Sequence, residues 1–522
     1  MRVLLFHGYL LRGTGSNVYT ANVARALAAL GHDVALVCQD RRARELDWVH
    51  AVGGWDSGEL VIEQLREPPA GRVTAYRPDI GRTLPVYVAD EYEGFDARPF
   101  ADLDDQQVEA YVQANVRAVS GVAGRDGGVD AALAGHLIMG PAILARARSA
   151  GAIDRYAVKV HGSALEYTVK PHPRFLPFAR EGLAGACGVL VGSRHTAESL
   201  WAAIGDDDLP GRTRLGPPGV DIDAFTAEAR PGAPRRLEQL AAELDGSTEE
   251  GTGAFARDPQ EAADGLRWLS EVQDLRVLFV GKLLVAKGVD LLVAAWPVVH
   301  HRHPGARLLM AGFGSWREGV TRLLAALDAG DLEAAADVAR AGRALEGGEG
   351  SLDHLLAFLH TAPPDYAQWA REAAGTVRLA GRLEHSEVAA ALPAADVVPF
   401  TSTFPEAFGM VAAEAAACGA LPVSADHSGL REVTTALSEP LEPELGELLR
   451  FEVGASAVPA LADSIAGWLE LSGERRAEIG EQLAEVVRGR WSWEAVARGV
   501  IDASQGRLDE LEPVSPNPAR QA

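Results

Sequence analysis

Two glutamates in an E-x7-E spacing, Glu406 and Glu414, lie in Thr403-Phe-Pro-Glu-Ala-Phe-Gly-Met-Val-Ala-Ala-Glu-Ala-Ala-Ala-Cys-Gly419. Pro405 disfavours helix for the residue before it, Gly409 permits a sharp turn, and the alanine-rich run to Cys418, with Gly419 after it, predicts a short helix. Glu406 then sits on the approach loop and Glu414 on the second helical turn. Every other residue of Met410–Cys418 is apolar, so a charge at 414 is costly unless it meets a partner. Amides near Phe408–Val411 would form an anion site, because a first helical turn carries unpaired N–H groups and the positive dipole end. The spacing alone leaves open a solvent-facing glutamate plus a surface-helix glutamate. The chain's basic residues are almost all arginine, its lysines being only Lys159, Lys170, Lys282 and Lys287. Two of these fall in Val280-Gly-Lys282-Leu-Leu-Val-Ala-Lys287-Gly288. Two ammonium groups on a glycine turn after a strand can neutralise a diphosphate, each charge-assisted contact contributing about 1.5–3 kcal/mol; the alternative is two solvated lysines.

Nearer the start, Arg12-Gly13-Thr14-Gly15-Ser16 follows a strand and precedes a helix, where backbone can approach a phosphate or sugar. It lacks the full GxGxxG pattern, and no acidic ribose-binding residue can be assigned, so a simple dinucleotide site is disfavoured. His136 and His161 each follow an apolar run, at strand carboxyl ends where open α/β sheets bind ligands. Taken singly, either reads as a structural histidine.

Recurrent β-rich runs must position these residues. In the first half they are Val3–Phe6, Val34–Cys38, Val129–Ala134, Tyr156–Val160 and Gly188–Val191; in the second, Arg276–Val280, Ala306–Met310, Thr376–Leu379, Asp396–Phe400 and Leu421–Ser424. Helical patterns alternate with them, as at Tyr19–Leu30, where Val23, Ala26, Leu27 and Leu30 share one face before Gly31. That alternation implies two doubly wound α/β domains. Residues 241–265 are acidic and glycine-containing and read as a solvated or partly disordered linker. Residues 317–372 carry leucines at helical spacing, broken at Gly347–Gly350 and Pro363–Pro364, and read as a helical insertion. The last dozen residues, with Pro513, Pro516 and Pro518, read as a mobile tail. The expected division is 1–222, a linker 223–275, 276–490 with the insertion, a final helix 491–510 and the tail 511–522.

With 522 residues and a net charge of −24, the chain is long enough for several cores and repels polyanions, which disfavours nucleic acid as a partner. Any anionic ligand must find a local basic pocket. Cys38, Cys187 and Cys418 show no CxxC spacing, so neither a disulfide framework nor a zinc site is expected and a reducing cytoplasm fits. No run is long enough for a membrane helix. Met1–Leu11 reads as a first buried strand, with a signal peptide as its rival.

Together these residues resemble the retaining glycosyltransferases of family 4, the glycogen synthase and mannosyltransferase-like group, with the GT-B fold of two facing Rossmann-like domains. The resemblance covers the chain apart from its insertions and tail. Its motifs are the Glu406/Glu414 pattern, Gly281–Gly288, Gly312-Phe-Gly314, Val377–Leu383, Pro218-Gly-Val-Asp221, Gly31-His-Asp-Val34 and Trp491-Ser-Trp-Glu494. It implies that Glu414 holds the donor ribose and that Glu406 contacts donor-sugar hydroxyls, beside the amides of Phe408, Gly409, Met410 and Val411. Lys282 and Lys287 would bind the diphosphate, Gly15 would lie close to the donor, His136 would meet the transferred sugar, Arg382 and Leu383 would border the base, and His161 would face the acceptor. Lys282 stands where the family more often has Arg.

The implied reaction needs no metal or other cofactor. It transfers a hexosyl unit from a UDP, GDP or ADP sugar to a carbohydrate or lipid-linked hydroxyl with retention, the leaving diphosphate taking the proton, and closure would hinge near Pro217–Asp223 and Gly489–Trp493. Rival readings are a donor hydrolase or epimerase of the same fold and a non-catalytic nucleotide-sugar-binding subunit. The basic stretch Lys170, His172, Arg174 and Arg180, interleaved with Phe175, Leu176 and Phe178, would allow peripheral contact with the inner face of the membrane. Pro171, Pro173 and Pro177 oppose a helix there and favour an ordinary loop.

Overall fold

The computed structural model describes residues 1–12, 15–87, 95–125, 127–227, 232–246, 257–272 and 274–514. The chain divides into a first unit, Met1–Gly219 with Trp491–Ala522, and a second, Val220–Arg490.

In the first unit, the strands are β1 (Arg2–Phe6), β2 (Asp33–Val37), β3 (Ala51–Asp56), β4 (Glu59–Gln64), β5 (Val73–Tyr76), β6 (Thr83–Val86), β7 (Asp96–Pro99), β8 (Ala131–Gly135), β9 (Ala157–Val160), β10 (Gly188–Val191) and β11 (Thr213–Leu215). Nine form one sheet in the order β11-β10-β9-β8-β1-β2-β5-β3-β4, while β6 and β7 pair separately. Among the paired strands of the described residues in this unit, only β3–β4 is antiparallel. Parallel strands covered by helices on both faces need apolar side chains on both. Leu4, Phe6, Ala132, Ala134 and Val158 enter one core. Val3, Leu5, Ala131, Leu133 and Ala157 enter the other, with Val23 and Leu27 of helix Gly15–Ala29 and Ala497, Val500 and Ala503 of helix Trp493–Gln505. The last helix therefore completes the first unit's core.

The second unit contains β12 (Arg276–Val280), β13 (Arg307–Ala311), β14 (Val377–Leu379), β15 (Val397–Phe400), β16 (Leu421–Ala425) and β17 (Arg450–Phe451). They form one parallel sheet, β14-β13-β12-β15-β16-β17. Counted along the unit this is 3-2-1-4-5-6, the doubly wound order in which ligands bind where the order reverses. At the sheet's amino edge four charges meet. Arg276 and Arg476 are 1% exposed; the Arg276 amide donates to Asp396 Oδ2 (2.9 Å), Arg476 Nε lies 3.4 Å from Asp396 Oδ1, and Arg476 also pairs with Asp274. This network ties helix Gly473–Trp491 to β12 and β15.

Between β13 and β14 lie the insertion helices Arg317–Asp328, Leu332–Ala341, Asp353–Thr361 and Tyr366–Glu372. The segment expected as an acidic linker instead contains helices Ala233–Asp245 and Pro259–Ser270, packed on each other. Their acidic faces are solvated, but Leu237, Leu240, Leu244, Leu266 and Leu269 are buried. Residues 247–256 of it lie outside the described residues. In the expected tail, Pro513 bridges to Arg214, and residues 515–522 lie outside the described residues. The proline-rich stretch differs too: Leu176–Ala184 is a helix, because Pro177 occupies its first turn, where a missing N–H costs nothing. The basic residues there serve the fold. Lys170 pairs with Glu166, Arg174 donates to the carbonyls of Phe100, Ala101 and Leu103, and Arg180 donates to that of Ile204. Among the described residues no helix is long and apolar enough to cross a membrane.

Candidate functional site

The order reversal in the second unit falls between β12 and β15, and the loops leaving their carboxyl ends carry the expected residues. The β12 loop runs Gly281-Lys282 to Gly288. It is held from the side by the turn after β13, where a Cβ on Gly312 would stand 1.9 Å from the Gly281 carbonyl oxygen and one on Gly314 2.4 Å from that of Leu283. The Leu283 amide donates to Phe313 O at 2.8 Å. Gly288, at φ +62°, presses against the β15 loop, since its Cβ would lie 2.0 Å from Thr401 O. That close approach sets Lys287 beside Glu406.

Lys287 Nζ donates to Glu406 Oε1 and lies 5.5 Å over the Phe400 ring. The two side chains are 27% and 22% exposed, so the pair is open to a ligand. Ser402 Oγ donates to Glu406 Oε1 at 2.8 Å. The Glu406 amide donates to Ser428 Oγ (2.9 Å), Ser428 Oγ lies 3.0 Å from His427 Nδ1, and His427 Nε2 donates to Ser402 O (2.8 Å). Ser428 adopts φ 50°, an uncommon conformation for a non-glycine residue. The carboxylate is thereby held from both sides of its loop.

Helix Met410–Ala417 follows with Gly409 as N-cap and no side-chain cap, leaving its first-turn amides without intrahelical acceptors. Glu414 lies on its second turn, buried among alanines, and accepts a hydrogen bond from His385 Nε2 at 3.0 Å. Lys282 is exposed, with no side-chain hydrogen bond or ion pair among the described residues. Arg382 pairs with Glu384 and lies 5.6 Å over the Phe313 ring, with half-buried Leu383 beside it.

In the first unit the order reverses between β1 and β8, and three histidines, His7, His136 and His161, each directly follow one of the neighbouring strands β1, β8 and β9. The rings of His7 and His136 stand 5.9 Å apart, those of His136 and His161 5.0 Å. Burial lowers the His7 pKa to about 4 and drives those of His136 and His161 well below the ordinary histidine value, His7 acting further on both neighbours. Among the described residues, both ring nitrogens of His136, Nε2 of His161 and the Tyr19 hydroxyl are buried without a hydrogen-bond partner, where buried polar groups are ordinarily satisfied. His136 itself adopts φ 68°. Burial also lowers Lys159 to about 7; its ammonium donates to Gly216 O and lies 5.3 Å over the Tyr19 ring. Gly15 opens helix Gly15–Ala29, and a Cβ there would meet nothing within 4 Å. Gly13 and Thr14 lie outside the described residues.

The structure thus brings Lys287 to Glu406 in the second unit and His136 to His161 in the first, while Glu414, on the helix that follows Glu406, meets His385. The sequence reading missed His385, Ser402, His427, Ser428 and His7. Only the position of His7 directly after the first strand carried a signal. Among the described residues no group of three or more His, Cys, Asp or Glu is placed to hold a metal ion.

Residues 365–485 match the family described as glycosyl transferases group 1. Over 345 residues the chain is 29% identical to D-inositol 3-phosphate glycosyltransferase of Xylanimonas cellulosilytica, a match covering 66% of this chain and 63% of that relative. It is similar in structure to the catalytic domain of starch synthase IV from Arabidopsis thaliana bound to ADP and acarbose (TM-score 0.56, 13% identity, 97% of this chain and 99% of that one). It is likewise similar to Anabaena Alr3699/HepE in complex with UDP (TM-score 0.54, 15% identity, 98% and 100%). These likenesses show the fold class, GT-B.

Proposed function

We propose that the chain is a group 1 glycosyltransferase that moves a hexosyl unit from a nucleoside-diphosphate sugar to an acceptor hydroxyl with retention at the anomeric carbon, without a metal. The observation that carries this reading is the second unit's order reversal, where the Lys287–Glu406 pair and the uncapped start of the helix that bears buried Glu414 lie on the segments leaving the carboxyl ends of β12 and β15. Cation and amides suit a diphosphate, and the two carboxylates suit hydroxyl donors. The likeness to a curated glycosyltransferase and to structures bound to UDP or ADP supports it.

In the proposed reaction the bond from the anomeric carbon to the phosphate oxygen breaks and a bond to the acceptor oxygen forms. The acceptor's proton passes to the departing diphosphate. Lys287, Lys282 and the amides of Phe408–Val411 stabilise the charge that develops there, the kind of preorganised electrostatics that supplies much of enzymatic rate enhancement. Glu406 holds donor-sugar hydroxyls and Glu414 the ribose, with Arg382 and Leu383 toward the base. Gly15 and His136 are assigned to the donor and its sugar, and His161 to the acceptor.

The test is a melting-temperature panel with UDP, GDP, ADP and their common sugars, because a ligand bound only by the native state raises stability as RT ln(1 + [L]/Kd). A selective rise that Glu414→Ala abolishes is expected. Glu406→Gln should then lose most turnover while keeping the nucleotide-induced rise. No rise with any nucleotide in a cooperatively melting protein overturns the reading, and donor consumption without acceptor at the full rate would assign a hydrolase instead.

A further inference from the structure

Glu414 is a buried carboxylate in an alanine helix, with 7% of its side chain exposed. Among the described residues its carboxylate receives one hydrogen bond, from His385 Nε2 to Oε1. His385 is the first residue of helix His385–Ala391, and its ring packs on buried Phe225 at 4.9 Å between centroids. The start of that helix is itself secured: Glu384 and Glu387 form a reciprocal capping box, Glu384 pairs with Arg382, and Glu387 pairs with Arg257 at 2.8 Å. The imidazole therefore approaches Glu414 from an anchored element, although its own side chain is 63% exposed.

The geometry points to His385 as a positioning residue for the ribose-binding carboxylate, holding Glu414 through Oε1 and leaving Oε2 and the second Oε1 lone pair to the ribose hydroxyls. This rests on the assignment of Glu414 proposed above. An ionised carboxylate only accepts hydrogen bonds, the form that two sugar hydroxyls require, and a buried one without a partner is driven toward its neutral form. Two acidic groups face His385 from neighbouring elements, Glu414 from helix Met410–Ala417 and Asp221 from the segment opening the second unit. The hydrogen bond to Glu414 raises the His385 pKa against the partial desolvation of the ring, with Asp221 adding to the rise. Glu384 and Glu387 on its own element are engaged by Arg382 and Arg257. Arg236, on the adjacent packed helix Ala233–Asp245, acts on Cys418.

The experiment measures the binding of UDP, ADP and GDP, and of the same diphosphates lacking the 2′ and 3′ hydroxyls, to the full chain by calorimetry. His385→Ala is expected to weaken the ribonucleotide about tenfold and to leave the dideoxy form unchanged. The donor KM rises correspondingly, kcat at saturating donor stays within about twofold, and His385→Gln, whose amide N–H can reach Oε1, recovers most of the loss. In the unsubstituted protein the preference for ribose declines as pH rises through the His385 pKa; in His385→Gln it is flat. An equal loss for both nucleotide forms, or none, overturns the positioning role. Glu414→Gln separates the two levels: if its loss is also equal for the ribo and dideoxy forms, or absent, the assignment of Glu414 falls, whereas if its loss is confined to the ribonucleotide and that of His385→Ala is not, only the role of His385 falls. A chain that binds none of the diphosphates overturns both.

Discussion

Replacing Lys287 by alanine removes one ammonium from the second unit's site while leaving the loop that carries Glu406 in place. Glu406 keeps Ser402 Oγ at 2.8 Å and its amide keeps Ser428 Oγ at 2.9 Å. The lost ion pair is about a quarter exposed on each side, so solvent screening holds its contribution to stability to about 1 kcal/mol or less. Its contribution to a bound diphosphate is larger. One charge-assisted hydrogen bond contributes about 1.5–3 kcal/mol, and each 1.4 kcal/mol is tenfold, so affinity for the diphosphate should fall about 10- to 150-fold. Calorimetry with whichever of UDP, ADP and GDP raises the melting temperature, compared with the parent nucleoside, isolates this term. The nucleoside should bind the variant as it binds the unsubstituted protein. Raising the salt concentration should weaken diphosphate binding to the unsubstituted protein more than to the variant. Because the ammonium has three donors, Glu406→Gln should leave diphosphate affinity intact or raise it up to about fivefold, the equivalent of about 1 kcal/mol. Undiminished diphosphate affinity in Lys287→Ala, or an equal loss for the nucleoside, would refute the assignment.

Asp396→Ala leaves the Arg276 amide without its carboxylate acceptor and Arg476, like Arg276 1% exposed, with Asp274 in place of two carboxylate partners; a loss of about 3 kcal/mol in denaturant unfolding is expected, partly recovered by adding Arg476→Met, and a loss below about 1 kcal/mol would show the network to be dispensable. Gly288→Ala puts a methyl 2.0 Å from Thr401 O at a positive φ, so it should cost about 2 kcal/mol or more and weaken diphosphate binding with it, whereas a variant as stable as the parent would contradict the close approach of the two loops. The buried histidines set an acid limit. With His7 lowered to about 4 and His136 and His161 also depressed, the unfolded chain binds more protons below about pH 6.5, so stability present above that pH is lost on acidification toward 4, at up to about 1.4 kcal/mol per pH unit per histidine. Melting temperatures from pH 7 to 4.5 should show this slope, and His161→Gln should flatten it; equal slopes would place the acid sensitivity elsewhere.

Local chemistry made much of the fold legible. The core strands were readable because parallel strands buried on both faces are short continuous apolar runs, and the structure differs from those readings by only a residue or two at their ends. Of the strands missed, β5 is fully buried but spans only four residues with Thr74 within it, and others carry no such run. β3 contains Gly53 and Gly54, β4 alternates half-buried and exposed residues at an edge, and β17 spans only Arg450–Phe451. The acidic stretch misled for a related reason: its charges are real, but they form the outer faces of amphipathic helices whose leucines are spaced too widely to stand out among them.

The E-x7-E spacing, the alanine helix and the lysine-bearing glycine turn belong to the sequence alone, because each depends on residues within one or two helical turns of one another. The chain order of the strands is also in the sequence; their spatial order is not. β12 and β15 are neighbours although β13, the insertion helices and β14 come between them, and only that adjacency sets Lys287 against Glu406. The same holds for His385 on Glu414, for the Ser402–His427–Ser428 loop around Glu406 and for the three histidines in a row across β1, β8 and β9. Apart from Ser402 on Glu406, each is a contact between segments more than twenty residues apart in the chain, where no local periodicity operates. Such partners are chosen by the packing of helices onto a twisted parallel sheet.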